Sequence, residues 1–185
     1  MNKPRLIVIT GRPGSGKTTF AKAFGDEVCL PAVSRDRIKE GYTHTLGKSH
    51  AQLPPQTNGI VNEIFTGTLA KLIDGGVSVI AEAAFQHRLW SQMLEPFKEK
   101  ARIFLIICKV DDRIARDRYI KRGLDNAKRE YFHGDVGVAT ARNGILPDIS
   151  LYEEPRLDLP TFYVDTTGVY KPTINEIEHD IFKQE

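Results

Sequence analysis

Arg5-Leu-Ile-Val-Ile-Thr-Gly-Arg-Pro-Gly-Ser-Gly-Lys-Thr-Thr19 carries a short apolar run, Leu6 to Ile9, straight into Gly11-Arg12-Pro13-Gly14-Ser15-Gly16-Lys17-Thr18. Those eight residues fit G-x-x-x-x-G-K-[ST] at every fixed position. A loop that wraps a polyphosphate must turn its backbone N–H groups inward, through angles that a Cβ disfavours. Glycine at 11, 14 and 16 meets that demand. Lys17 then reaches the β- and γ-phosphates, and the Thr18 hydroxyl is placed to ligate Mg²⁺. Arg12, Pro13, Ser15 and Thr19 complete the loop, and the helix beginning there points its positive end at the anion. A lone glycine-rich turn would mean little; the strand–loop–helix setting makes this a nucleotide site.

Working outward, 185 residues suit one domain, 1–185. A chain of that length buries roughly 70% of its unfolded surface and needs no staples. Acids and bases are interspersed and the net charge is +2, so nothing in the overall balance drives it to nucleic acid. Cys29 and Cys108 have no metal or redox spacing. Both lie in apolar surroundings and are expected to be buried free thiols of a reducing compartment. The start of the chain has no signal-like segment, and no run approaches a membrane span. The expectation is a soluble cytoplasmic protein with no membrane partner.

After the loop, Thr18 to Gly25 reads as the first helix. Val28 to Val33 suits a second strand that Pro31 confines to a sheet edge. Ser34 is placed as an N-cap, with Asp36 in the first turn of the next helix. Residues 41–56 hold glycines and prolines and read as an irregular loop over the cleft. Its Gly47-Lys48-Ser49 only imitates the end of a phosphate loop, because residue 42 is tyrosine. A helix over 57–74 presents Ile60, Val61, Ile64, Phe65, Thr68 and Leu72 on one face. Val77 to Ala84 is a buried parallel strand interrupted only by Glu82. A helix over 86–100 and a strand over 102–110 follow.

From Asp111 to Arg122 the helical repeat puts Arg118 and Arg122 on the apolar face, ahead of a terminating Gly123. Residues 123–150 are polar and poorly periodic, as befits a lid. Thr161 to Asp165 is a last strand, Asp165-Thr-Thr-Gly168 a turn, and Ile174, Ile177 and Ile181 stripe a final helix. Five strands alternating with helices predict an α/β fold on a parallel sheet.

Phosphoryl transfer needs a carboxylate for the acceptor hydroxyl and cations for the transferred group. Asp36 stands at the carboxyl end of the second strand, where ligand crevices of such sheets lie. Glu82 ends the apolar third strand and could hold Mg²⁺, directly or through a water. Arg118 and Arg122 keep their charge at any physiological pH and grip phosphate bidentately. Arg88 is a weaker candidate for touching the acceptor. Trp90 reads as packing, and the five histidines show no metal-ligand spacing.

Taken together, Gly11–Thr19, Ser34-Arg-Asp36, Val79-Ile-Ala-Glu82-Ala-Ala-Phe85 and Ala115-Arg-Asp-Arg118-Tyr-Ile-Lys-Arg122-Gly123 resemble the P-loop kinases. The similar branch holds polynucleotide 5′-hydroxyl kinases, chloramphenicol phosphotransferase and zeta-toxin-type kinases. The resemblance implies the three-layer P-loop NTPase fold, a five-stranded sheet in the order 2-3-1-4-5, an ATP donor and Mg²⁺. It implies that Asp36 activates the acceptor, that Lys17, Arg118 and Arg122 act in transfer, and that Asp165 and Thr166 lie near the adenine. Glu82 stands where an aspartate often ends the third strand, and 41–56 matches no member.

The expected activity is ATP-dependent phosphorylation of a hydroxyl on a small molecule. A nucleic-acid 5′-hydroxyl acceptor is the alternative, and a non-catalytic ATP-binding switch the competing class. No Asn-Lys-x-Asp run marks a GTPase.

Overall fold

The structure, a computed structural model, describes residues 2–126, 128–134, 141–144 and 152–183. Part of the expected lid, at 127, 135–140 and 145–150, lies outside the described residues. The elements run β1 Arg5–Thr10, α1 Lys17–Glu27, β2 Ala32–Ser34, α2 Arg35–Leu46, α3 Thr57–Asp74, β3 Val79–Glu82 and α4 His87–Leu94. Then come β4 Arg102–Lys109, α5 Asp112–Asp125, α6 Lys128–His133, β5 Thr161–Asp165 and α7 Ile174–Phe182.

All strand pairs are parallel, in the order β2-β3-β1-β4-β5. Alternation along β1 divides the core. Leu6 and Val8 face Phe65, Leu69, Trp90 and Leu105 on one side; Ile7 and Ile9 face Phe20, Phe24, Ile106, Ile177 and Ile181 on the other. Helices α3 and α4 therefore cover one face, and α1 and α7 the other, giving three layers. Each fully buried side chain of this kind contributes about 1.5–3 kcal/mol. The register sets Ser34 opposite Glu82 and Lys109 opposite Asp165, so the strands deliver their last residues to one rim.

Several expectations are corrected. Residues 41–46 are not irregular but form the last turns of α2, which Gly47 ends at φ 62°, and His50–Gln52 make one 3-10 turn. A Cβ on Gly41 would meet nothing, so this glycine costs the helix only its usual ~1 kcal/mol. The buried row of α3 is Thr57, Val61, Phe65, Leu69 and Ile73, while Ile64 is 42% exposed. Only one i, i+4 row is fully buried, Leu72 packs on its flank, and the apolar stripe over-reached at Ile64. Helix α4 stops at Leu94 because Pro96 has no N–H to continue it. Helix α5 runs through Gly123, which is buried inside it. Cys29 is exposed in a positive-φ turn; Cys108 is buried, and burial pushes its thiol up to about 12.

Thr10, at the end of β1, donates its hydroxyl to Ala83 O at 2.8 Å and accepts from Trp90 Nε1 at 3.0 Å. Trp90 is thus packed in the core and tied to the residue that precedes the glycine-rich loop. No helix among the described residues is long and apolar enough to cross a membrane.

Candidate active site

The loop Gly11–Gly16 passes from β1 to α1 with Gly14 and Gly16 in the left-handed region, φ 82° and 80°. Gly16 is the N-cap of α1, and no side chain caps that helix. Its first N–H groups are therefore left for a ligand, with the positive end of the dipole behind them. Lys17 is buried, only 6% exposed, at the mouth of this turn. The Ser15 hydroxyl is buried without a hydrogen-bond partner among the described residues. An uncapped helix start, a buried ammonium and an orphan hydroxyl together make a cradle of the kind that suits an anion. Arg12 is turned away into an ion pair with Asp112.

Beside Lys17 lies Glu82, 2% exposed, its Oε1 4.0 Å from Lys17 Nζ. Thr18 Oγ1 donates to Glu82 Oε1 at 3.1 Å, and Ser34 Oγ donates to Oε2 at 2.6 Å. Ser34 occupies the N-cap of α2 as expected, yet its hydroxyl serves Glu82 rather than the helix. A buried carboxylate is tolerated because each oxygen is hydrogen-bonded; removing one partner of such a group costs about 3–5 kcal/mol. The described residues hold no cluster of three or more His, Cys, Asp or Glu side chains fit for a metal. A cation here would be shared between phosphate oxygens, Thr18, Glu82 and water, the manner in which Mg²⁺ is usually bound. The Thr18–Glu82 pair fits such an ion.

A cavity of about 410 Å³ opens in front of these groups. Pro13 lines it from the loop, Lys17, Thr18 and Thr19 from the start of α1, Ser34 from the end of β2, Asp36 from the first turn of α2, and Tyr119 and Arg122 from α5. Asp36 is half-exposed, with Arg35 Nη1 3.5 Å from its Oδ1. Burial pushes its carboxyl up, but Lys17, His133, Arg35 and Lys39 outweigh that and hold it below the usual carboxylate range.

The two arginines of α5 divide. Arg122 lines the cavity. Arg118 reaches past it, donating to the carbonyls of Thr166 at 3.1 Å and Thr167 at 2.8 Å. The Thr166 hydroxyl is held by Ser15 O, so Arg118, Asp165 and Thr166 form a group at the other end of the loop. The Thr167 hydroxyl, and after it the Thr167 N–H that donates to Asp165 Oδ1 at 2.8 Å, draw the Asp165 carboxyl down. Arg88 is exposed on α4 and does not line the cavity.

Sequence reasoning missed the far wall of the cavity, Arg37, Lys39, Glu40, Arg129 and His133. His133 Nε2 lies 2.8 Å from Glu40 Oε1, and the Phe132 ring packs on His44 at 4.6 Å. These contacts join α6 to α2 across 93 residues of sequence. Spacing carries no trace of such a pairing. The three consecutive turns of α2 beyond Asp36 were the available signal.

Comparison with known proteins agrees with this fold. A family model described as an AAA domain matches residues 6–139. No curated protein matches the chain in sequence. Among solved structures, a provisionally assigned kinase from Chloroflexus aurantiacus J-10-fl superposes with a TM-score of 0.73 at 24% identity, over 99% of this chain and 96% of that one. The Mycobacterium tuberculosis APS kinase CysC, solved with AMPPNP and APS, gives 0.63 at 14% identity over 99% and 98%. A gluconokinase from Sinorhizobium meliloti 1021 gives 0.57 at 15% identity over the whole of both chains. At these identities the likeness is one of fold. Through residues 6–139 the chain belongs to the AAA-domain family, and its architecture is that of the P-loop kinases.

Proposed function

We propose that the protein is an ATP-dependent kinase that transfers the γ-phosphoryl group to a hydroxyl of a small-molecule acceptor. One observation carries this reading: an ionised, half-exposed carboxylate, Asp36, shares a cavity with Lys17, Thr18 and Arg122. A switch protein needs the phosphate loop but has no use for a carboxylate facing the place where the γ-phosphate would end.

In this reading the loop N–H groups and Lys17 hold the β- and γ-phosphates. Arg118, Asp165 and Thr166 meet the base end of the nucleotide. When bound, Mg²⁺ neutralises charge on the β- and γ-oxygens, with Thr18 and Glu82 (directly or through a water) as its protein partners. The acceptor oxygen forms its bond to the γ-phosphorus as the bond from that phosphorus to the β-bridging oxygen breaks. The hydroxyl proton passes to Asp36 and the electron pair leaves with ADP. Arg122 steadies the transferred group, a cationic role that requires no proton.

The reading is tested by ADP release across a panel of sugars, polyols, sugar acids and nucleosides, with ATP and GTP each tried as donor. Acceptor-stimulated release is expected; tight ATP binding with no stimulated release across the panel would assign the chain to the non-catalytic class.

The direction of the Asp36 shift gives a second expectation. A carboxylate whose folded value is depressed contributes stability above its unfolded value, about 3.9, and loses it as pH falls through the lower folded one. The base is then already ionised at mild acidity, so no loss of kcat/KM through Asp36 is expected between about pH 5 and 8. A limb in that window that disappears in the Asp36→Asn protein would contradict the assignment.

A further inference from the structure

Ser34 ends β2 and opens α2, half-buried on the wall of the cavity. The parallel register sets it beside Glu82, so the two side chains leave the same face of the sheet. Its one hydroxyl proton goes to Glu82 Oε2 at 2.6 Å, within the short range of a charge-assisted O–H···O⁻ bond. Helix α2 receives nothing from it and starts without a side-chain cap. Serine is among the best N-cap residues, so a hydroxyl withheld from its own helix is committed to the carboxylate.

Glu82 is 2% exposed, and each of its oxygens needs a partner. Oε1 accepts from Thr18 Oγ1 at 3.1 Å and also stands 4.0 Å from Lys17 Nζ. At that separation the ammonium and the carboxylate attract each other but share no hydrogen bond. The two hydroxyls, one on each oxygen, therefore hold the carboxylate just short of Lys17. Without the Ser34 proton, Oε2 would be bare in a buried place, with Lys17 the cation at hand. A turn toward that ammonium would recover the lost free energy. The resulting pair would draw Lys17 away from phosphate and take from Thr18 the acceptor that orients its hydroxyl.

Resting on the nucleotide site of the kinase reading, we propose that Ser34 is a positioning residue of the phosphate site. Its hydroxyl pins Glu82 Oε2, which keeps Lys17 free for the β- and γ-phosphates and the Thr18–Glu82 pair in place for Mg²⁺. Ser34 acts through Glu82 alone and takes no part in bond making.

The test measures AMPPNP binding to the full chain by calorimetry, at saturating Mg²⁺ and across a Mg²⁺ titration. The proteins compared are the parent, Ser34→Ala, Ser34→Gly, Ser34→Thr, Glu82→Gln and the Glu82→Gln/Ser34→Ala double variant. Ser34→Ala and Ser34→Gly are expected to bind about tenfold or more weakly than the parent and to need about tenfold or more Mg²⁺ for half-maximal binding. Ser34→Thr, which keeps the hydroxyl, should lie within about threefold of the parent. Glycine caps a helix nearly as well as serine, so matched losses in the alanine and glycine variants exclude a helix-start effect. In Glu82→Gln, which has no charge to offer Lys17, adding Ser34→Ala should change affinity by less than about threefold. If either hydroxyl-free variant does not fold, the other carries the comparison.

Parent-like affinity and Mg²⁺ requirement in the hydroxyl-free variants would overturn the proposal. So would a glycine variant that matches the parent while alanine does not, or a loss that persists in full in Glu82→Gln. In each of these cases the kinase reading stands. A parent chain that fails to bind AMPPNP, with or without Mg²⁺, would instead overturn the nucleotide site itself, and this role of Ser34 with it.

Discussion

Asp36→Asn is expected to lower kcat by about 10²- to 10⁴-fold, the usual contribution of a positioned general base. Asparagine keeps the size and most of the hydrogen bonding of aspartate, so the end of β2 and the first turn of α2 should hold their shape. What is lost is the group that takes the proton. ATP affinity should be preserved or slightly raised, because a negative charge is removed from the neighbourhood of Lys17, whose field is one of the cations holding Asp36 ionised. The measurement is kcat from ADP release beside ATP affinity by calorimetry. Undiminished turnover would take Asp36 out of the mechanism. A matched loss of ATP affinity would mean that the residue supports the phosphate loop instead.

Gly14→Ala should act on the cradle itself. A Cβ there would stand 2.0 Å from Ala115 O and 2.8 Å from Ala115 C, both backbone atoms of α5, and the residue sits at φ 82°. Neither obstacle is a flexible side-chain end that could swing aside. The left-handed conformation costs an L-residue about 1–2 kcal/mol, and forced overpacking typically about 1–3 kcal/mol more. For a chain of this length each kcal/mol lowers Tm by about 2–4 °C, so a fall of roughly 5–20 °C is expected, with nucleotide affinity lost as the loop parts from α5. The control is Gly59→Ala in α3, where a Cβ would meet nothing within 4 Å and the helix should gain up to about 1 kcal/mol. A Gly14→Ala protein with the parent's Tm and ATP affinity would show that the loop does not lean on α5 as described.

The fold was legible because its signals are local. Leu6–Ile9 followed by the glycine-rich loop, and the nearly uncharged third and fourth strands, each state their place within a few residues. The same holds for α7, whose Thr173–Glu176 capping box and Ile177/Ile181 stripe stand in one turn and the next. Around the site, Lys17, Thr18, Asp36 and Glu82 were named from motif position or from lying at a strand's end and Arg122 from its helical face, and the structure brings them together around one cleft. Their assigned tasks remain proposals for the variants above.

What sequence could not reveal is of two kinds. Some residues act through contacts made only in three dimensions. Ser34 has the chemistry of a cap, yet sheet register sets its hydroxyl against Glu82; Lys39 is one more cation in a charged helix until His50 is folded against it. Others were misplaced because a local rule lost to packing. Glycines 41 and 123 looked like breaks, but α2 and α5 run through both. Arg118 and Arg122 share a helical face within about 100° of arc, yet their long side chains reach different neighbours. Periodicity resolves a face, not the last four bonds of an arginine.

The indole tied to Thr10 has one more consequence. Trp90 is the only tryptophan of the chain, and its N–H is fixed to the residue from which the glycine-rich turn departs. Excited on the red edge, where the six tyrosines do not absorb, the native protein therefore emits from a single indole fixed to the hinge of that turn. Nucleotide titrations can be followed optically without labels, and a displaced emission maximum would report strain arriving at the carboxyl end of β1.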